Sequence, residues 1–159
     1  MSGKRVVTAA PGEQTISYTR EFEVPAALVF RAHIEPDLVS KWTGPAGTEV
    51  WMREWDARTG GAWSYVVVGG GGEWGFHGSF HEVTAPRRLV QTFEFDGHPE
   101  HPNLEILNFV DLEGGRCRLE GLSLFPTLAD RDDMLSGMDG GMDENFDRLD
   151  ALFASGEIA

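Results

Sequence analysis

The sequence is poor in three features that would each define a class of protein: cysteine, long apolar runs and basic residues. Its one cysteine, Cys117, excludes an internal disulfide and a cysteine-based metal cluster. No run of about eighteen apolar residues and no cleavable signal pattern is present, so we expect a cytoplasmic protein without a membrane partner. The 159 residues are enough to bury a core, and we expect one domain.

The shortage of basic residues leaves a formal charge of −13, from 13 Lys and Arg against 26 Asp and Glu. Binding to nucleic acid requires a basic face for the phosphates, so we expect no nucleic-acid partner. Much of the acid lies on the predicted last helix and in its loops, where it favours solubility. A basic protein partner is the alternative.

An amphipathic helix is predicted over residues 127–153, because its apolar residues fall in one arc when placed at about 100° per residue. Thr127 followed by Asp130 is typical of a helix start. Gly137 and Gly141 weaken a helix interior, so we expect a break near Gly137 that leaves a short first piece and a longer second one. The apolar arc contains Met134, Leu135, Met138, Met142, Phe146, Leu149, Leu152 and Phe153, and the acidic side contains Asp139, Asp143, Asp147 and Asp150.

The rest of the chain predicts an antiparallel sheet interrupted early by two helices. Residues 15–23 alternate as in a strand, Pro25 suits the first turn of one helix and Pro36 opens a second, shorter one. Short loops containing glycine then join successive strands, which is typical of hairpins. One face of such a sheet must be covered, and the last helix is long enough to do so. The further strands are predicted at 48–56, 62–68, 72–83, 88–96, 104–112 and 116–125.

Large aromatic residues share faces of the predicted strands. A sheet lined with rings and covered by a helix that carries Met138 and Met142 suits an apolar pocket, and it equally suits an ordinary core, so both interpretations stay open. By alternation, Trp63 and Tyr65 share one face of the strand predicted at 62–68. In the next strand Trp74, Phe76 and Phe80 share a face, opposite His77, Ser79 and His81. In the strand after that, Phe93 and Phe95 share a face with Gln91.

Glu105, Asn108 and Glu120 are polar residues inside otherwise apolar strands. A carboxylate that faced a cavity would need a partner or would shift its pKa, and it would then be a candidate general acid, general base or ligand anchor. The simpler interpretation places all three on the outer, solvent-facing side of the sheet.

The histidines give no metal motif. His77 and His81 are four residues apart in a strand, about 13 Å, which is too far for both to bind one ion. His98 and His101 flank prolines in a loop, the one other place considered for a divalent metal, and we expect no metal and no cofactor there. His33, on the inner face of the first helix, is interpreted as a hydrogen-bonded, half-buried residue.

Several short motifs, in order along residues 15–154, resemble a known family. The sequence is similar to the START-like helix-grip proteins of the SRPBCC superfamily, in the branch of the activator of heat-shock protein 90 ATPase. The matching pieces are Val29-Phe30-Arg31-Ala32, Trp42-Thr43-Gly44-Pro45, Asp56-Ala57-Arg58-Thr59-Gly60-Gly61-Ala62-Trp63, His81-Glu82-Val83 with Pro86, Thr92-Phe93-Glu94-Phe95, Gly115-Arg116-Cys117-Arg118-Leu119, Gly137-Met138 and Arg148-Leu149-Asp150.

The resemblance implies an α+β helix-grip fold: a curved antiparallel sheet of about seven strands that grips the C-terminal helix, often around a hydrophobic cavity. We expect a single domain at 15–154 between a flexible N-terminal tail, 1–14, and a C-terminal tail, 155–159. The favoured function is binding of a small hydrophobic or amphipathic molecule, lipid-like or aromatic, without catalysis. The alternatives are a stress-related co-chaperone that activates the heat-shock protein 90 ATPase, and a cyclase or hydrolase acting on a polyketide-like ligand. The predicted binding residues are Trp42, Trp63, Phe76, Phe93, Met138 and Met142 as lining, with His77, Gln91 and Asn108 as polar contacts.

Overall fold

The computed structural model describes residues 5–136 and 141–159. These residues form eight strands and four helices. In chain order they are β1 (Val6–Thr8), β2 (Thr15–Phe22), α1 (Ala26–Ile34), α2 (Pro36–Trp42), β3 (Glu49–Trp55), β4 (Ala62–Gly69), β5 (Gly72–Thr84), β6 (Arg88–Phe95), β7 (Asn103–Asp111), β8 (Cys117–Leu124), α3 (Leu128–Ser136) and α4 (Gly141–Ser155).

All the strands belong to one antiparallel sheet in the order β1-β2-β8-β7-β6-β5-β4-β3. The register shifts between Met52 and Glu54 in β3 and between Phe80 and Glu82 in β5. Such bulges bend a strand and increase its twist, which helps the sheet to curve around the helices. The predicted α+β fold, with a curved antiparallel sheet and a C-terminal helix against it, is confirmed.

The first two helices begin where the prolines predict. Pro25 precedes α1 but makes no side-chain cap, and the Asp111 carboxylate at the end of β7 instead accepts a hydrogen bond of 2.9 Å from the Ala26 amide. A negative charge at this end of the helix is favourable. Val29 and Phe30 of α1 are fully buried against the sheet.

The C-terminal helix α4 is held on the sheet by apolar packing and by a buried ion pair. Phe146 and Leu149 are fully buried, and the Phe146 ring meets that of Phe22 edge to face with centroids 5.6 Å apart. Arg20 on β2, 3% exposed, contacts the Asp150 carboxylate at 2.7 Å. The helix break expected near Gly137 lies outside the described residues, which are helical up to Ser136 and again from Gly141.

Parts of both predicted tails contact the folded domain. Val6–Thr8, placed in a flexible tail, pairs with β2, so the sheet has eight strands where about seven were expected. The side chains of Val6 and Val7 are exposed, so backbone pairing rather than burial holds this strand. In the expected C-terminal tail, Ile158 is 2% exposed and its amide donates to the Leu152 carbonyl.

Cys117 on β8 is a fully buried core residue, and burial raises the pKa of its thiol. A protonated, inaccessible thiol is a poor nucleophile. Within the part of the chain that the structure describes, no helix is long and apolar enough to cross a membrane.

Candidate functional site

A cavity of about 620 Å³ lies between the concave face of the sheet and the helices. Its walls come from Arg5, from β2 to β8, from α1 and α2, and from the two C-terminal helices. The lining side chains include Tyr18, His33, Trp42, Trp55, Trp63, Tyr65, Trp74, Phe76, Gln91, Phe93, Asn103, Glu105, Ser123, Phe125, Met134, Met142 and Phe146.

One wall of this cavity is a connected set of aromatic rings from β4, β5 and β6. Trp63 and Tyr65 stack with centroids 5.4 Å apart and an interplanar angle of 24°. Phe93 contacts Trp63 at 5.6 Å and Phe76 at 5.4 Å. Alternation along each strand puts these rings on one side of the sheet. The wall is therefore a broad apolar surface of side chains that have few rotatable bonds.

A row of polar side chains crosses the floor of the cavity. In the sheet register Gln91 of β6 pairs with Glu105 of β7, which pairs with Ser123 of β8. The Gln91 side-chain amide donates to a Glu105 carboxyl oxygen at 3.1 Å. Burial raises the pKa of Glu105, and the hydrogen bond from Gln91 opposes that rise only in part. The floor thus carries an ionisable group in apolar surroundings.

Asn103 adds a second polar group two residues from Glu105 on the same face of β7. Its side chain is 7% exposed, and its Oδ1 atom makes no hydrogen bond to any described residue. A buried carbonyl oxygen without a donor costs free energy, typically about 1–3 kcal/mol. Asn103 Oδ1 is therefore an acceptor that a bound molecule could satisfy.

Besides the Arg5 guanidinium, three more ionisable groups of the described chain line the cavity, and Tyr18, Tyr65 and His33 are held in neutral forms. Burial raises the pKa values of the Tyr18 and Tyr65 hydroxyls, and the charge of Glu105 raises both further. His33 donates from Nδ1 to the Val29 carbonyl at 2.8 Å, and burial lowers its pKa to about 4. His33 is thus the hydrogen-bonded, half-buried residue that the sequence indicated, and its ring is uncharged at neutral pH.

The cavity opens to solvent at a rim of large apolar side chains. Trp74, Met134 and Met142 line the cavity and are also 40%, 43% and 37% exposed. Close by, the buried Arg5 guanidinium lies 3.0 Å from Asp143 of α4. The thioether side chains of methionine adapt to irregular surfaces, so this rim suits the passage of an apolar molecule.

Six of the nine binding residues predicted from the sequence line the cavity. The ones that line the cavity are Trp42, Trp63, Phe76, Gln91, Phe93 and Met142. Met138 lies outside the described residues. His77 and Asn108, predicted as polar contacts, are not among the residues that line the cavity, and both side chains lie on the outer face of the sheet.

On that outer face, His77 is fixed by two carboxylates, with Nδ1 2.6 Å from Asp96 and Nε2 3.1 Å from Glu94. The hydrogen bond to Asp96, more than any other contact, raises the pKa of His77. Asn108 accepts a hydrogen bond of 3.0 Å from Arg88. Both residues are satisfied there and neither contacts the cavity.

Glu105 is the reverse case: sequence analysis favoured the outer face for it, and it faces the cavity. Alternation along β7 could have predicted the inner face for Glu105, because Glu105, Leu107 and Phe109 share one face and the last two are buried. Glu120, by contrast, does lie outside, where it pairs with Arg118 at 2.9 Å. Asn103 and Ser123 were not singled out from the sequence.

Among the described residues, one group could hold a metal ion: His98, His101 and Asp130, whose ligand atoms lie within 4.8 Å of one another. The two imidazoles stack with centroids 3.8 Å apart, and His101 Nδ1 is 2.7 Å from the Asp130 carboxylate. The cluster joins the β6–β7 loop to the start of α3 on the surface. It is separate from the cavity.

The arrangement in the cavity can bind an apolar body against rings and a polar end against the floor. Glu105 is also the described carboxyl on the lining that could act as a general acid or base, the role considered for it from the sequence.

The curved sheet, the two early helices and the long helix packed over the concave face define a START-like helix-grip protein. The chain belongs to the family described as "Activator of Hsp90 ATPase homolog 1-like protein", whose model matches residues 23–154.

Solved structures share this fold at low sequence identity. A protein from Rhodobacter sphaeroides has a TM-score of 0.84 at 23% identity, covering 96% of this chain and 99% of that one. A protein from Chromobacterium violaceum has a TM-score of 0.74 at 26% identity, covering 87% and 96%. A Plasmodium falciparum protein described as an HSP90 activator has a TM-score of 0.67 at 16% identity, covering 89% and 96%. No curated protein matches the sequence.

Proposed function

We propose that the protein binds a small hydrophobic or amphipathic molecule in the cavity between the sheet and the C-terminal helix. The observation that carries the proposal is an opening of about 620 Å³ lined mainly by aromatic and aliphatic side chains. Packed protein cores leave few voids larger than a water molecule. Pockets for small ligands typically measure about 300–1,000 Å³ and have few polar groups among apolar ones. The lining of this cavity has the composition of a ligand pocket.

The proposal is tested by native mass spectrometry of gently purified protein together with titration of an environment-sensitive apolar dye. We expect retained mass above the bare chain, or dye fluorescence that saturates at one equivalent. Ser123→Leu adds an apolar side chain to the cavity floor and should weaken dye binding at least about tenfold by occupying the space. Ser64→Leu, on the outer face of β4, is the matched control and should leave dye binding unchanged.

A bare mass together with no saturable dye binding would overturn the proposal. Equal loss of binding in the two serine variants would also contradict it, because only Ser123 lines the cavity. Thermal melting of both variants checks that each one is folded.

The second candidate function is a co-chaperone role. It is supported by the family of the chain and by the likeness to a protein described as an HSP90 activator. The acidic face of α4 offers less free surface than the sequence indicates, since Asp143 pairs with Arg5 and Asp147 with Arg20. Substituting Asp143 would also remove the partner of the buried Arg5 guanidinium, so a loss of binding could not be assigned to the surface alone. The direct test is therefore ATP hydrolysis by purified Hsp90 with and without the intact protein. An unchanged rate at saturating protein would contradict this candidate.

A further inference from the structure

We propose that the ligand of this cavity carries a protonated amine, held by Glu105 and Asn103, on an apolar aromatic or alkyl body. The inference rests on the proposed function and specifies the class of ligand. Its starting point is an unsatisfied acceptor, the Oδ1 atom of Asn103, 7% exposed and on the lining of the cavity.

The acceptors on the cavity floor are close enough to share one donor group. Asn103 and Glu105 lie two residues apart on one face of β7, about 7 Å at the Cα atoms. Ser123 is directly opposite Glu105 in the register of β7 and β8, about 5 Å away at the Cα atoms. An ammonium group has three N–H donors and no acceptor. It can therefore be bonded by the Asn103 carbonyl, the Glu105 carboxylate and the Ser123 hydroxyl together.

The charge balance around Glu105 favours a cation over a neutral or anionic group. The polar neighbours on β2, β4 and β6 are Tyr18, Tyr65 and Gln91, none of which is a cation. On α1, His33 is neutral. Arg5 also lines the cavity, where its guanidinium lies 3.0 Å from Asp143, and no hydrogen bond from Arg5 to Glu105 is present among the described residues. Beside Glu105 and Asn103 a ligand ammonium would supply a positive charge that no described side chain donates to this carboxyl, while a ligand carboxylate at the same place would meet the Asn103 acceptor and like charge.

The remainder of the lining fits the rest of such a molecule. The stacked and tilted rings of Trp63, Tyr65 and Phe93 give an apolar surface beside the polar row. Ring faces also attract a cation in a partly dehydrated site, which adds to the preference for an amine.

The test is calorimetric titration of the full chain at pH 7 with three compounds that share one apolar body: 4-phenylbutylamine, 4-phenylbutan-1-ol and 4-phenylbutanoate. We expect the amine to bind at least about tenfold more tightly than the alcohol, and the carboxylate to bind most weakly. In Glu105→Gln the advantage of the amine over the alcohol should fall below about threefold, with the affinity for the alcohol unchanged. Glu54→Gln removes an exposed carboxylate from β3 and is the matched control.

If the alcohol or the carboxylate binds as tightly as the amine, the inference is overturned while the proposed function stands. The same holds if none of the three binds but the apolar dye does. If neither the compounds nor the dye bind, the proposed function falls as well. Should Glu105→Gln fail to fold, Asn103→Ala replaces it, with an expected loss of about fivefold for the amine alone.

Discussion

At the residue scale, the most informative side chains are ionisable groups placed in apolar surroundings. Glu105 and His33 both line the cavity, and burial drives each toward its neutral form, so their pKa values move in opposite directions. Arg20 is buried too, and carboxylates of α4 pair with its guanidinium. A ligand in the cavity would change the pKa values of Glu105 and His33, whereas Arg20 holds the helix α4 in place.

His33 makes stability depend on pH in a defined direction. Its folded pKa is about 4 and its ordinary value is 6.5, so between these pH values the unfolded chain takes up a proton that the folded chain does not. The free energy of unfolding should therefore fall as pH drops from 6.5 toward 4, by up to about 1.4 kcal/mol per pH unit from this residue. His33→Gln keeps a donor for the Val29 carbonyl and cannot titrate. Urea unfolding at several pH values should give a shallower decline for the variant, and an unchanged slope would contradict the assignment.

The two carboxylates that contact Arg20 should differ in their contribution to stability. Asp150 lies 2.7 Å from the guanidinium and its side chain is 26% exposed, while Asp147 lies 3.2 Å away and is 77% exposed. Removing a charged partner from a buried group typically costs about 1.5–3 kcal/mol, and an exposed ion pair contributes about 0–1 kcal/mol. Asp150→Asn should therefore lower the free energy of unfolding by about 2 kcal/mol, and Asp147→Asn by less than about 1 kcal/mol. Equal losses, measured by urea titration, would contradict this ranking.

At the scale of elements, α4 does more than cover the sheet, because it also fixes the loop that forms one side of the cavity. Arg148 donates to the carbonyls of Trp42 and Gly44 at 3.2 and 2.8 Å. Glu144 accepts a hydrogen bond of 3.1 Å from the Ala46 amide. The loop between α2 and β3, whose residues 43–45 line the cavity, thus takes its position from α4.

Arg148→Met should loosen that loop without unfolding the domain. The substitution keeps an apolar stem of similar length and removes both donors, so the carbonyls of residues 42 and 44 lose their partners on α4. Hydrogen exchange measured by mass spectrometry should accelerate over residues 43–48 and stay unchanged in β7 and β8. Arg58→Met, at an exposed arginine paired with Asp56, is the control. Uniform acceleration through the sheet would show that Arg148 supports the whole fold instead.

The order of elements could be predicted from the sequence because alternation, prolines and glycine-bearing turns are local signals. β1 could not, since its exposed valines leave no apolar alternation and its pairing with β2 depends on distant residues. The same alternation puts two predicted site residues on the face of the sheet that points away from the cavity. His77 is adjacent to Phe76, and Asn108 lies between Leu107 and Phe109. Gathering Gln91, Glu105 and Ser123 into one row requires the register of three strands, and the sequence alone does not give that register.

At the scale of the whole molecule, the cavity exists because the sheet curves while its helices meet it only along part of the concave face. Phe146 and Leu149 of α4 pack on β2, and Val29 and Phe30 of α1 pack in the same buried cluster. The ring-lined surface of β4 to β6 lies between these contacts and forms one wall of the cavity. An apolar ligand that occupied this space would complete the core, so binding and stability should be coupled.

The excess of acid should make the stability of the whole molecule increase with salt. The formal charge of −13 arises from 26 acidic and 13 basic residues, and like charges spread over a small domain repel one another within about 10 Å at 0.1 M salt. Raising sodium chloride from about 10 mM to 0.5 M should screen that repulsion and raise the melting temperature by about 3–6 °C. Screening also weakens exposed ion pairs, so a fall in melting temperature would show that the pairs outweigh the net charge. The matched control replaces four exposed acids, Glu54, Glu73, Glu113 and Asp133, by their amides. Since −13 plus 4 gives −9, its response to salt should be smaller.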